Sequence, residues 1–151
     1  MTWQYFVMQA PTLAEVCATS IHGQVAYLAT TRNDGAPRVH PVTPIIGGGH
    51  LFIFMEPTSP KAYDLRRDPR FALHNGVRDT SGAGGEVSLS GYAELVTTAD
   101  LRTVAVRHAP YDPAERYVLF VCIPERVIVS TYCAQGPQRQ RWERTSSANT
   151  E

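Results

Sequence analysis

The chemistry that can be read most directly from this chain lies in Thr58-Ser59-Pro60-Lys61, together with an arginine, Arg38, twenty positions earlier in the same ordered stretch. A serine cap followed by proline at the first helical position predicts a helix start. Such a start offers unpaired N–H groups and a partial positive charge, which together favour a phosphate. Ser59 adds a hydroxyl, Lys61 a full charge and Arg38 a two-pronged guanidinium. Pro60 has no N–H to give, so the site leans on side chains. Taken alone, these residues equally describe a capped surface helix with a solvated lysine.

The elements that must position them follow from pattern. Thr12-Leu13-Ala14-Glu15 reads as a capping box, with Leu13, Val16, Cys17 and Ile21 at helical spacing, and predicts a helix over 12–21. Residues 25–31 predict a strand, and Asn33-Asp34-Gly35 a turn. A second strand is expected from Arg38 to Ile46. Pro41 and Pro44 remove backbone donors from it and suit an edge. After Gly47-Gly48-Gly49, the run His50-Leu51-Phe52-Ile53-Phe54-Met55 is apolar throughout. That predicts a strand buried on both faces, against a barrel interior on one side and a helix or second subunit on the other. The helix opened by Ser59-Pro60 should end at Arg67, before Asp68-Pro69. Phe71–His74 restarts β structure, and 77–85 is turn-rich.

Residues 87–95 alternate, with Val87, Leu89, Gly91, Ala93 and Leu95 on one face. Thr98 should start a helix ending near His108. Tyr117–Cys122 and Val127–Cys133 read as two further strands. The fold class expected is mostly β: seven strands in an antiparallel barrel capped by helices. The barrel domain is expected over 1–133, with a polar, frayed tail over 134–151.

The bulk numbers agree with one globular domain. The chain has 151 residues, 43% hydrophobic and 19% charged, with fourteen basic residues against fourteen acidic. This balance argues against nucleic acid and against an anionic membrane as partners. Cys17, Cys122 and Cys133 have no metal-ligand spacing, and their odd number suits a reducing compartment. With no secretory pattern at residues 1–9 and no membrane-spanning run, the expected location is cytoplasmic.

Three segments in order, VAYLATTRNDGAPRVHPVTPII, HLFIFMEPTSPKAYDLRRDPRFALH and EVSLSGYAELV, resemble the pyridoxamine 5'-phosphate oxidase-like family, the FMN-binding split barrels. The resemblance covers about residues 12–133 and is most specific in SPKAYDLRRDPRFAL. It implies an antiparallel Greek-key split barrel that forms a homodimer with cofactor sites at the interface. It implies FMN as cofactor, with the phosphate at Arg38 and Lys61 and with Thr58 and Ser59 beside them. Backbone groups of Val39, His40, Pro41, Val42 and Thr43 would face the pyrimidine edge. Phe54 and Met55 would lie near the ring and ribityl chain, Glu86 would reach across the dimer, and Trp142 would cover the partner's cofactor.

The sequence also departs from the family. Pro60 stands where oxidases often carry a second basic residue, Thr43 where they carry another, and Glu86 where a glutamine is common. The pyridoxal-phosphate-binding C-terminal segment of true oxidases is not recognisable. The expected function is a flavin-dependent oxidoreductase acting on a small molecule. The alternatives are a deazaflavin (F-420 type) reductase, with Arg66 and Arg67 toward a longer acidic tail, and a non-enzymatic flavin- or haem-binding module. No side chain declares itself as catalytic acid or base. The five histidines share no metal-ligand spacing, and His40 stands on the cofactor strand.

Overall fold

A computed structural model describes residues 2–146. Two helices open the chain, α1 (Trp3–Gln9) and α2 (Pro11–Ile21). The break between them is Pro11, whose ring cannot continue α1 but presets the first turn of α2. The expected capping box therefore does not form. Ala10 occupies the cap position with no side-chain acceptor, and Thr12 already lies inside the helix. α1, not anticipated as a helix, buries Trp3 and Phe6 edge to face, with centroids 5.1 Å apart.

The strands are β1 (Ala26–Thr31), β2 (Pro37–Val42), β3 (Ile45–Gly47), β4 (His50–Met55), β5 (Arg70–Asn75), β6 (Glu86–Leu95), β7 (Val118–Cys133) and β8 (Gly136–Glu143). Between them run α3 (Pro60–Arg67) and α4 (Ala99–His108). All pairings are antiparallel, in the order β2-β1-β5-β6-β7-β4-β3, with β8 added on β7. The two ends of that path, β2 and β3, are joined by only Thr43 and Pro44. The sheet therefore curls back on itself without a hydrogen-bonded seam, a split barrel. The expected strand 38–46 is two strands because the Thr43-Pro44 step ends one ladder before the next begins. The end of α2 plugs the break: Gly23 N–H donates to the Pro44 carbonyl (2.9 Å), and Ile46 N–H to His22 Nδ1 (2.9 Å).

β4 is buried on both faces, as its composition requires. Leu51, Ile53 and Met55 enter the barrel core, whereas Phe52 and Phe54 join Ile45, Leu119 and Val121 under Ala105 of α4. The covering element is thus a helix of the same chain, and this strand gives no support to a dimer. Burying each such side chain contributes about 1.5–3 kcal/mol.

β7 is one strand of sixteen residues, not two. Pro124 interrupts its ladder without ending it, because a bulge opposite Gly91 absorbs the missing donor. A Cβ at Gly91 would stand 1.9 Å from the Ile123 carbonyl oxygen, so only glycine fits the crossing. Leu95, expected to face inward, lies at the exposed end of β6. The tail is corrected as well: residues 136–143 form β8, hydrogen-bonded along β7 from Cys133↔Gly136 to Arg126↔Glu143. Its polar sequence reflects an outer strand with one buried side chain, Trp142. This gives eight strands among the described residues. No helix among them is long and apolar enough to cross a membrane.

Candidate functional site

Helix α3 divides the site into two clefts. It starts at Pro60 after Ser59, as expected, but the cap is unconventional. Ser59 Oγ donates back to the Glu56 carbonyl (2.7 Å) rather than accepting from the helix. Ser59 N–H is likewise bonded to Glu56, and Pro60 has no N–H. The Lys61 N–H is the first-turn donor left without a backbone acceptor. As the sequence suggests, the positive character of this site rests on side chains.

The first cleft, about 490 Å³, is lined by Arg32, Arg38, Thr58, Tyr63, Asp64 and Arg67 among others. Its centre is Asp64, which is only 2% exposed. The carboxylate accepts from Thr30 Oγ1 (2.7 Å), Arg38 Nε (2.7 Å) and Arg67 (3.2 Å). Arg67 also donates to the Thr31 carbonyl (2.6 Å). Burial alone would raise the Asp64 pKa. The three donors and the Arg38 charge outweigh it and hold the group below its ordinary value. Because Asp64 takes Nε of Arg38, the terminal amino groups of that guanidinium keep their donors for another acceptor.

The second cleft, about 330 Å³, is lined by Pro41, Val42 and Thr43 at the end of β2, by Phe54 and Met55 of β4, and by Lys61. Tyr111, Tyr117 and Glu56 complete it. Lys61 is half-buried and forms no ion pair among the described residues; burial lowers its pKa. On β2, strand alternation puts Arg38, His40 and Val42 on one face and Val39 and Pro41 on the other. The Nε2 of His40 is buried without a partner. Burial, then the charges of Lys61 and Arg38, depress its pKa against the opposing pull of Asp64, which favours the neutral ring. β2 pairs only with β1, so its other edge is open, and Val39 is exposed.

Of the residues singled out in the sequence, Pro41, Val42, Thr43, Phe54, Met55 and Lys61 line the second cleft, Arg38 and Thr58 the first, and Val39, His40 and Ser59 neither. Two lie elsewhere. Glu86 lines a separate cleft with His74, Ser88 and Arg139. Trp142 packs on Phe6 (4.7 Å between centroids) and Tyr5, and its Nε1 donates to Gln9 Oε1 (2.9 Å). Its ring is core, fixed by α1, and does not reach the clefts of its own chain. Sequence reasoning also missed Asp64, which sits in a charge run that reads as a solvated helix face, and Tyr111 and Tyr117.

The donor set suits a phosphorylated, planar ligand. A half-buried cation without an ion-pair partner among the described residues lines a cleft with apolar and aromatic side chains, an orphaned histidine nitrogen stands on the neighbouring strand, and a pinned arginine lines the next cleft. A family model described as pyridoxamine 5'-phosphate oxidase matches residues 15–129, and the chain belongs to that family. Among solved structures, a haem-binding protein from Mycobacterium smegmatis is similar with a TM-score of 0.69 and 22% identity. The alignment covers 88% of this chain and 58% of that one, so this chain spans little more than half of that protein. A NimC/NimA family protein from Clostridium acetobutylicum gives 0.69 at 16% identity, over 93% of this chain and 96% of that one. An F-420 reductase gives 0.56 at 21%, over 73% and 94%. These likenesses speak for the fold. No curated protein matches the sequence. The family includes flavin and deazaflavin oxidoreductases and haem-binding proteins.

Proposed function

We propose that the protein is a flavin-dependent oxidoreductase that binds FMN at the interface of a homodimer. The phosphate lies between Arg38 and Lys61, and the ring lies along β2. The observation that carries this reading is Lys61, a half-buried cation without an ion-pair partner among the described residues, in a cleft whose one carboxylate, Glu56, is taken by Arg116 and which Val42, Phe54 and Met55 also line. A phosphate supplies the missing anion. Its oxygens also accept from the Thr58 hydroxyl and the Lys61 N–H, and Ser59 joins them only by giving up its bond to the Glu56 carbonyl.

Bound FMN supplies the electron-transfer chemistry. The chain supplies binding and orientation. Asp64 fixes Arg38, and Val42, Phe54 and Met55 keep water from the ring. The open edge of β2, from Val39 to Thr43, presents backbone groups to the pyrimidine edge. Neutral His40 offers a hydrogen-bonding nitrogen beside the phosphate. Glu86 enters only from the partner subunit, since it lies away from this site in its own chain.

Titrating cofactor-stripped protein tests this assignment. Lys61→Ala and Arg38→Ala should each raise the FMN Kd at least tenfold, about 1.4 kcal/mol, and change the riboflavin Kd far less. Equal losses for both ligands would mean that the phosphate lies elsewhere. Sedimentation velocity of the FMN-loaded protein should report a dimer, and a monomer would contradict the interface.

A second reading, a deazaflavin-dependent reductase, has one observation in its favour. Arg32 and Arg67 line the same cleft as Arg38, extending basic groups beyond the phosphate position. On that reading, replacing Arg66 and Arg67 by alanine weakens deazaflavin binding much more than FMN binding.

A further inference from the structure

The segment between α4 and β7, residues 109–117, is not part of the barrel, yet it is fastened to it at two points. Arg102 of α4 donates to three main-chain carbonyls: Tyr117 (2.8 Å), Glu115 (3.2 Å) and Ala114 (3.3 Å). Its guanidinium also lies over the Phe54 ring, 5.1 Å from the centroid. Arg116 forms an ion pair with Glu56, at the turn between β4 and α3, and stacks on Tyr117 at 5.2 Å. One guanidinium satisfying three carbonyls is a rigid clamp, because its donors diverge in a fixed plane. Pro110 and Pro113 restrict the loop further.

The clamp has a consequence at the second cleft. Tyr111 and Tyr117 line that cleft together with Thr43, Met55 and Lys61, and the clamp fastens the loop's backbone at Ala114, Glu115 and Tyr117. Neither tyrosine hydroxyl is bonded to a described residue. Burial, and then the neighbouring Tyr117, raise the Tyr111 pKa, so its hydroxyl keeps its proton. Two tyrosine rings beside Val42, Phe54 and Met55 favour a flat conjugated ring over an aliphatic ligand.

We propose that Tyr111 and Tyr117 form the wall of the cleft against which the flavin ring lies, and that Arg102 is the positioning residue that holds this wall. The assignment rests on the reading given under Proposed function. It adds a loop that selects for a planar ring independently of the phosphate. Lys61 and Arg38 therefore set preference for the phosphorylated ligand, whereas the aromatic rings at positions 111 and 117, which phenylalanine would keep, and the Arg102 clamp set affinity for the flavin ring in both FMN and riboflavin.

Tyrosine next to a flavin quenches its fluorescence by electron transfer, and phenylalanine does so poorly, which supplies a readout that fold stability does not move. FMN and riboflavin are titrated into wild type, into the Tyr111→Phe/Tyr117→Phe double variant and into Arg102→Ala. The double variant should bind both ligands within about threefold of wild type, with bound-flavin fluorescence at least twofold brighter. Arg102→Ala should weaken both ligands by about tenfold and to the same extent, and Arg102→Lys should recover part of that loss. Wild-type binding with unchanged brightness in the double variant overturns the tyrosine wall and leaves the phosphate assignment standing. This arm holds even if Arg102→Ala fails to fold. An Arg102→Ala effect confined to FMN overturns the positioning role. A wild type that binds neither ligand overturns this inference together with the proposed function.

Discussion

The two clefts beside the start of α3 are built from similar residues and solve opposite electrostatic problems. In the first, Thr30, Arg38 and Arg67 converge on the buried Asp64, and the charges answer one another within the chain. In the second, Lys61 forms no ion pair among the described residues, because the one carboxylate lining that cleft, Glu56, is paired with Arg116. Folding completes the first arrangement. On the proposed reading, a phosphorylated ligand completes the second. The same ten-residue stretch thus holds Asp64 and Arg67, paired within the chain, and Lys61, without an ion-pair partner among the described residues, which is the one proposed to bind.

That contrast can be broken in graded ways. The largest effect should come from outside both clefts. Trp142→Ala removes a ring packed on Phe6 and Tyr5 and should cost about 3–5 kcal/mol in urea unfolding. It should leave the affinity for FMN and riboflavin of the folded fraction unchanged. Asp64→Ala comes next, at about 2–3 kcal/mol, because it strips a charged acceptor from three donors while Arg38 and Arg67 remain partly solvated. Lys61→Ala should do the reverse, leaving stability within about 0.5 kcal/mol while weakening FMN by about tenfold. If Lys61→Ala instead proved the more destabilising of the two, the division between clefts would be wrong.

Smaller effects come from titration. Asp64 has a folded-state pKa below the ordinary 3.8, so its stabilisation is complete above that value and is lost as pH falls through the folded pKa. Wild-type Tm should therefore fall more steeply than that of Asp64→Asn on acidification below about pH 4. Lys61 titrates below its ordinary 10.5. The preference for FMN over riboflavin should start to decline before pH 10.5 is reached and should be pH-independent over that limb in Lys61→Ala.

Much of this was legible in the sequence wherever a local rule settles the outcome. The all-apolar run of β4, the Ser-Pro start of α3 and the alternation of β6 depend on periodicity and capping alone. So does the edge character of β2, with its prolines. What escaped was decided by tertiary contact. Asp64 reads the same in a solvated helix face as in a buried cluster until β1 and β2 are placed around it. β8 is polar because one side of it faces solvent, so its composition resembled a frayed end. Pro124 read as a strand break because the glycine that accommodates it, Gly91, lies on another strand. Among the site residues, those at the end of β2 and β4 share a cleft with Lys61, whereas Arg38 lines the neighbouring one. Tyr111 and Tyr117 line the cleft from a loop that Arg102 fastens at Ala114, Glu115 and Tyr117, which no sequence pattern announces.

The central claim is that the Lys61 cleft is a phosphate site joined to a ring slot. The most direct test is a fluorescence titration of cofactor-stripped wild type and Lys61→Ala with FMN and riboflavin side by side. The account predicts saturable wild-type binding of both ligands with FMN the tighter, and loss of that preference in Lys61→Ala while riboflavin binding persists. An FMN preference that survives Lys61→Ala, or a wild type that binds neither ligand, would contradict it.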